Sequence, residues 1–165
     1  MSQAIIKINQ ALRESIFSIM LKRSITVSVA ESCTGGFIST FFTSGSGSSD
    51  LFKGSMITYS NESKINFLDI NPDLINKNGV VSKVVVEEMA VSVRKKYKTN
   101  YGLATTGYVE LSNLELIEKK YLHAWVSISS SQGVVSNRLT FHKNRLENIS
   151  YVSHILLTLF RKEIL

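Results

Sequence analysis

The stretch Ile25-Thr26-Val27-Ser28-Val29-Ala30-Glu31-Ser32-Cys33-Thr34-Gly35-Gly36, running on into Phe37-Ile38-Ser39-Thr40-Phe41-Phe42, decides how this chain is read. Its first half is apolar and β-branched, and residues 25 to 30 read as a strand. Its last six residues carry Phe37, Ile38, Phe41 and Phe42 at helical spacing. Between them lie one carboxylate, two hydroxyls, one thiol and two glycines. A strand that turns directly into a helix collects free backbone N–H groups and a partial positive charge at one place. In open α/β sheets ligands bind in the crevice outside such strand ends. Two readings of the turn follow. Either Ser32 is a nucleophile facing that crevice, or Ser32 or Thr34 simply caps the helix.

A second junction of the same kind lies downstream. Residues 54 to 59, Gly-Ser-Met-Ile-Thr-Tyr, read as a strand, and Ser60 or Asn61 is placed to cap a helix carrying Glu62, Lys64, Ile65, Phe67 and Leu68. Pro72, in Asn71-Pro72-Asp73, suits the first position of a short helix that ends at Asn78-Gly79. Ser82 caps a long helix with Val85, Val86, Met89, Ala90 and Val93 as its buried stripe and Arg94-Lys95-Lys96 near its C-terminus. Residues 101 to 106 form a third strand ending at Gly107. Residues 108 to 121 have weak periodicity. Residues 122 to 130 and 134 to 142 alternate as a hairpin about Ser131-Gln132-Gly133, and Asn144 caps a last helix with Ile149, Val152, Ile155, Leu156, Leu159 and Phe160 inward. Upstream, residues 3 to 22 form an amphipathic helix, and residues 44 to 49 and 50 to 53 read as a loop and a short turn. Helices alternating with strands, closed by a hairpin, predict a single domain over residues 1–165: an α/β fold, a three-layer sandwich with a mixed sheet.

Composition narrows the classes. The chain has 165 residues, 44% of them hydrophobic, which suffices for a core that buries roughly 70% of the unfolded surface. The net charge of +6 is spread out. Neither Arg94-Lys95-Lys96 nor Lys119-Lys120 reaches the length of a nucleic-acid arm, and no aromatic platform accompanies them. Cys33 is the only cysteine, which excludes an intrachain disulfide and a cysteine metal cluster. His123, His142 and His154 lack ligand spacing, so no metal is expected. No run approaches the 18 apolar residues of a membrane span, and residues 1 to 23 lack a signal-peptide pattern, so a cytoplasmic protein is expected. Glycine-rich nucleotide loops and a G-x-S-x-G elbow are absent.

The constellation that carries chemistry is Ser32 with Tyr59 and Lys64. If the two strands are neighbours, both junctions meet at one edge of the sheet. A serine hydroxyl needs a base, and a lysine whose pKa is lowered by burial can be one. The opposing reading makes Tyr59 a core-edge aromatic and Lys64 a surface residue.

Residues 29–36, V-A-E-S-C-T-G-G, resemble the hallmark of the CinA C-terminal domain family, which includes stand-alone nicotinamide-nucleotide amidases. The likeness continues through G-S-S at 47–49, G-x-x-x-T-Y-S-N-E-x-K at 54–64, G-V-V-S at 79–82, Thr106-Gly107 and Trp125. The resemblance implies a three-layer α/β/α fold and hydrolysis of nicotinamide mononucleotide to nicotinic acid mononucleotide and ammonia, with no cofactor. It implies Ser32 as nucleophile, Lys64 as its base and Tyr59 as a group that orients or relays the proton. Thr34, Gly35 and Gly36 would shape the turn and offer N–H groups to the oxyanion or nucleotide. Thr106, Gly107 and Arg145 would contact the substrate, Arg145 at its phosphate. Cys33 is a rival nucleophile beside the matched serine. The implied partner is a small nucleotide, with neither nucleic acid nor membrane, and a homodimer is possible.

One segment departs from the family. Where relatives carry a loop of the form G-I-A-G-P-x-G-G and then K-P-V-G-T-V-W, this chain has Gly107-Tyr108-Val109-Glu110-Leu111-Ser112-Asn113 and Lys120-Tyr121-Leu122-His123-Ala124-Trp125. Backbone N–H groups of a glycine-rich loop approach phosphate closely, whereas Glu110 repels a phosphate near it. The alternative function is therefore a catalytically impaired relative that binds nucleotides or partners.

Overall fold

The computed structural model describes residues 8–111 and 121–165. Helix α1 (Gln10–Arg23) is capped by Asn9, whose side chain accepts from Leu12 N; residues 3–7 of the expected helix lie outside the described residues. Strand β1 (Val27–Glu31) feeds α2 (Phe37–Thr43), and a 3-10 turn (Ser48–Asp50) leads to β2 (Phe52–Ile57). Then come α3 (Asn61–Leu68), α4 (Pro72–Asn78), α5 (Lys83–Tyr97), β3 (Tyr101–Tyr108), β4 (His123–Ser129), β5 (Val134–Thr140) and α6 (Arg145–Glu163). Pro72 occupies the start of α4 behind an Asn71 cap, and Ser60, Ser82 and Asn144 cap α3, α5 and α6.

The sheet runs β2-β1-β3-β4-β5. β1 pairs in parallel with β2 and with β3, whereas β4 and β5 add antiparallel, so the sheet is mixed as expected. All five residues of β1 are buried, as a strand covered by helices on both faces requires. Val27, Val29 and Leu103 point into one core with α1, α2 and α6, whereas Ala30 and Ala104 point into the other with α4 and α5. These are the two helical layers of the sandwich. The α5 side of the central strands carries small residues, which lets α5 lie close. A Cβ on Gly102 would stand 2.2 Å from the Ala90 carbonyl oxygen, so only glycine fits there. In the opposite layer Phe42 stacks on Phe52 at 5.4 Å and meets Phe41 and Phe160 edge-on.

Several element ends differ from the sequence reading: β1 spans Val27–Glu31 instead of 25 to 30, and β4 and β5 end at Ser129 and Thr140, short of 130 and 142. β2 begins at Phe52 and stops at Ile57, two residues earlier at each end than expected. The register against β1 jumps from Phe52 to Gly54, so Lys53 is an extra residue, and Gly54 takes a φ of 141° open to glycine. β3 runs past Thr106 to Tyr108. The rest of the weakly periodic segment, residues 112–120, lies outside the described residues.

Candidate active site

The turn after β1 is built around Glu31. Its side chain is fully buried and its carboxylate accepts from Gly36 N at 2.9 Å, Ile38 N at 3.2 Å, Ser39 N at 2.8 Å and Thr34 Oγ1 at 2.7 Å. An anion thus satisfies the free N–H groups at the start of α2 and sits at the positive end of its dipole. Neither Ser32 nor Thr34 caps α2; the N-cap is Gly36, which has no side chain to do so, and Glu31 takes over that work. Thr105 on β3 fixes the turn from the other side, lying 2.9 Å from Thr34 Oγ1 and accepting from Ser32 N at 3.4 Å.

Lys64 arrives from the neighbouring junction. The β1–β2 pairing sets the two strand ends side by side. The reciprocal bonds between Ser60 and Ser63 fix where α3 starts. Lys64 then points inward, only 1% exposed. Its ammonium donates to Thr58 O at 2.7 Å, to Ser32 Oγ at 3.0 Å and, more weakly, to Tyr59 O at 3.5 Å. Burial lowers its pKa from 10.5 to about 8, the nearby Cys33 opposing slightly. Each of its three protons has an acceptor. In the neutral amine the bond to Thr58 persists and the lone pair is free to accept the Ser32 hydroxyl proton. The surface-residue reading of Lys64 does not hold.

Cys33 adjoins Ser32, and burial pushes its pKa up to about 12, so it is held as a thiol, the less nucleophilic form.

Tyr59 lies two residues beyond β2 and is 60% exposed. Its carbonyl faces Lys64, but its hydroxyl accepts from Arg145 Nη2 at 2.6 Å and makes no hydrogen bond with Ser32 or Lys64. Arg145, the first residue of α6, also donates from Nη1 to Glu110 Oε2 at 3.4 Å. Ser32, Tyr59, Lys64, Thr106, Gly107 and Arg145 converge on one cavity of about 420 Å³, whose far wall includes Val80, Val81 and residues 108–111. Thr106 Oγ1 donates to Val80 O at 3.0 Å and so ties two walls together. A Cβ on Gly107 would come within 2.6 Å of the Ala124 Cβ across the strand pair, so strand packing accounts for this glycine.

Thr34, Gly35 and Gly36 do not join them. They line a separate groove with Ile57, Leu146 and Ile149. The Gly35 N–H is taken by Ser32 O at 3.2 Å and the Gly36 N–H by Glu31. These residues build the turn, and the two glycine amides are already bonded within it. The groups that sequence reasoning missed are Glu31 and Thr105, which hold the turn, and Asn148 on α6. Asn148 is fully buried and donates to Val109 O at 2.9 Å, pinning the strand exit beside Glu110. A charged residue at the end of a strand with no other charge was the one available signal for Glu31. Among the described residues no group of three or more His, Cys, Asp or Glu converges as metal ligands, and no helix is long and apolar enough to cross a membrane.

The family model for the CinA C-terminal domain matches residues 9–164. The chain is 38% identical over 157 residues to a CinA-like protein of Flavobacterium psychrophilum, covering 95% of this chain and 37% of that one. It is 36% identical over 152 residues to a CinA-like protein of Amoebophilus asiaticus, covering 92% and 36%. The chain therefore spans little more than a third of the length of these relatives. A competence or damage-inducible protein from Enterobacter asburiae has the same fold, with a TM-score of 0.88 at 19% identity over 93% of this chain and 96% of that one. The competence/damage inducible protein CihA from Agrobacterium tumefaciens gives a TM-score of 0.84 at 24% identity over 92% of each chain.

Proposed function

The chain belongs to the CinA C-terminal domain family, and on that premise we propose that it is an amidase that deamidates nicotinamide mononucleotide through Ser32 activated by Lys64. The observation that carries the proposal is the 3.0 Å bond between Lys64 Nζ and Ser32 Oγ, combined with a buried amine whose pKa of about 8 leaves part of it neutral near pH 7.

In this reading neutral Lys64 takes the Ser32 proton as Oγ attacks the carboxamide carbon. The backbone N–H of Cys33, which lines the same cavity next to Ser32, is the donor assigned here to the developing oxyanion. Collapse of the tetrahedral intermediate breaks the C–N bond, and the proton on Lys64 goes to the leaving nitrogen, so that ammonia departs. Water then attacks the acyl-serine, giving its proton to Lys64, which returns it to Ser32 as the acid is released. Tyr59 anchors Arg145 at the cavity rim instead of relaying the proton. Arg145 is the side chain for the phosphate.

The test is ammonia release from the nucleotide together with a one-unit mass gain in the product. Wild type gives both and Ser32→Ala gives neither while keeping its fold. A wild-type protein that leaves the nucleotide mass unchanged across pH 6 to 9 overturns the proposal. A second reading, a nucleotide-binding module without turnover, is favoured by the Glu110 carboxylate already paired with Arg145. It predicts thermal stabilisation by the nucleotide without hydrolysis.

A further inference from the structure

We propose that Glu110 is a specificity residue: an internal competitor that a substrate phosphate must displace from Arg145. The inference rests on the amidase reading for the identity of the ligand, but not for its binding test.

The two ends of the ion pair are indexed to one turn of α6. Asn148 is fully buried, and its amide holds the Val109 carbonyl at 2.9 Å, Val109 itself being 3% exposed. Its other contacts run to the backbone of Lys143, just ahead of the helix. Glu110 is the next residue after Val109, and Arg145 lies three residues before Asn148, one helical turn away on the same face. The carboxylate is thus delivered to the guanidinium by a buried anchor. Arg145 has a second anchor, since Nη2 donates to the Tyr59 hydroxyl at 2.6 Å while Nη1 takes Glu110 at 3.4 Å. The longer bond is the one that opens, and the Tyr59 bond keeps the guanidinium at the cavity rim.

Electrostatics favour the exchange. Arg145 is the first residue of a 19-residue helix, where the dipole favours a nearby anion. Glu110 supplies one negative charge there, and a phosphate monoester supplies nearly two with more acceptor oxygens. Because both side chains are exposed, the ion pair is weak and its displacement costs little. The displaced carboxylate still lines the same cavity, so it repels the incoming phosphate. An unphosphorylated nucleoside amide meets neither cost. Glu110 therefore narrows the preference for phosphorylated over unphosphorylated substrate, and it acts on affinity rather than on the acylation chemistry at Ser32.

The experiment measures affinity by calorimetry for nicotinamide mononucleotide and for nicotinamide riboside, using wild type, Glu110→Gln, Arg145→Gln and the double variant. Glu110→Gln is expected to tighten the nucleotide on the order of fivefold, from loss of a weak pair and of like-charge repulsion, and to leave the riboside unchanged. In the Arg145→Gln background the same change gives less than about half of that gain. In turnover, KM for the nucleotide falls and kcat stays the same. Equal gains for both ligands, no gain for the nucleotide, a gain that survives loss of Arg145 undiminished, or no nucleotide binding by any of the proteins overturns the inference. If no protein hydrolyses the nucleotide but the binding difference is present, the amidase reading falls and the role of Glu110 stands. If hydrolysis is present and the difference is absent, the reverse holds.

Discussion

Lys64 makes the stability of this protein depend on alkaline pH in a way that one substitution isolates. Its pKa is 10.5 when unperturbed and about 8 in the fold, lowered chiefly by burial. Below pH 8 it is protonated in both states, and the full cost of burying a charge weighs on the folded state. Between pH 8 and 10.5 the folded protein releases that proton while the unfolded chain keeps it, so the unfolded chain binds more protons and stability rises with pH. Above 10.5 both forms are neutral and the gain is complete. At about 1.4 kcal/mol per pH unit, the window is worth about 3 kcal/mol. Lys64→Met fills similar volume without a titrating group and leaves the Thr58 carbonyl without its 2.7 Å partner. That loss of about 1–3 kcal/mol is independent of pH. Urea unfolding of both proteins at half-unit steps from pH 7 to 11 separates the terms, since every other titration cancels in the difference. Wild-type stability minus that of the variant should be flat to pH 8, climb by about 3 kcal/mol, and level off above 10.5. A flat difference means that Lys64 keeps an ordinary pKa and is no base at neutral pH; a falling one means that the fold favours its charged form. Either result refutes the reasoning.

The remaining predictions concern the same turn. The rate of amide hydrolysis should rise with pH as Lys64 loses its proton and level off above about 8; a pH–rate profile that is flat from 6 to 9 contradicts Lys64 as the base. Cys33→Ala should leave ammonia release as fast as wild type, because the thiol is protonated and Ser32 is the proposed nucleophile; a dead variant with an intact circular-dichroism spectrum would make Cys33 the nucleophile. Glu31→Ala strips the acceptor from the N–H groups of Gly36, Ile38 and Ser39, and at about 1–3 kcal/mol for each buried unpaired group it should lower stability by at least about 3 kcal/mol in urea unfolding. A loss under 1 kcal/mol would mean that water replaces the carboxylate.

Much of the fold was legible because it rests on local signals. Caps at Ser60, Ser82 and Asn144 and the apolar stripe of α5 mark helices, and the buried β1 marks an interior strand of the sheet. The Ser32–Lys64 contact was legible only on the condition that the two strands are neighbours, which the parallel β1–β2 pairing meets; the residues alone left Lys64 open as a surface residue, and the resemblance assigned the pair. What failed were inferences that depend on which way a group turns. The resemblance implies Gly35 and Gly36 as N–H donors to a ligand, but the carbonyl of Ser32 and the carboxylate of Glu31 consume both. The extra residue at Lys53 was invisible, and with it the early end of β2 that leaves Tyr59 outside the strand. The Tyr59–Arg145 bond joins residues 86 apart, and no local pattern encodes it.

The cavity thus has two halves that respond differently to substitution. Around Ser32 and Lys64 nearly every polar atom is buried and bonded, and Thr105, Thr58 and Glu31 hold the nucleophile turn with groups whose loss costs whole kilocalories. At the rim, Glu110, Arg145 and Tyr59 meet in solvent, where each contact is worth a fraction of that. On the proposed reading, a change among residues 108–111 should therefore alter which substrate is held and leave the Ser32–Lys64 contact behind it in place. The resemblance leads one to expect a glycine-rich loop where Tyr108-Val109-Glu110 stand at the rim; the 3.0 Å lysine–serine bond is present behind them, and on the proposed reading selection among substrates falls to the rim.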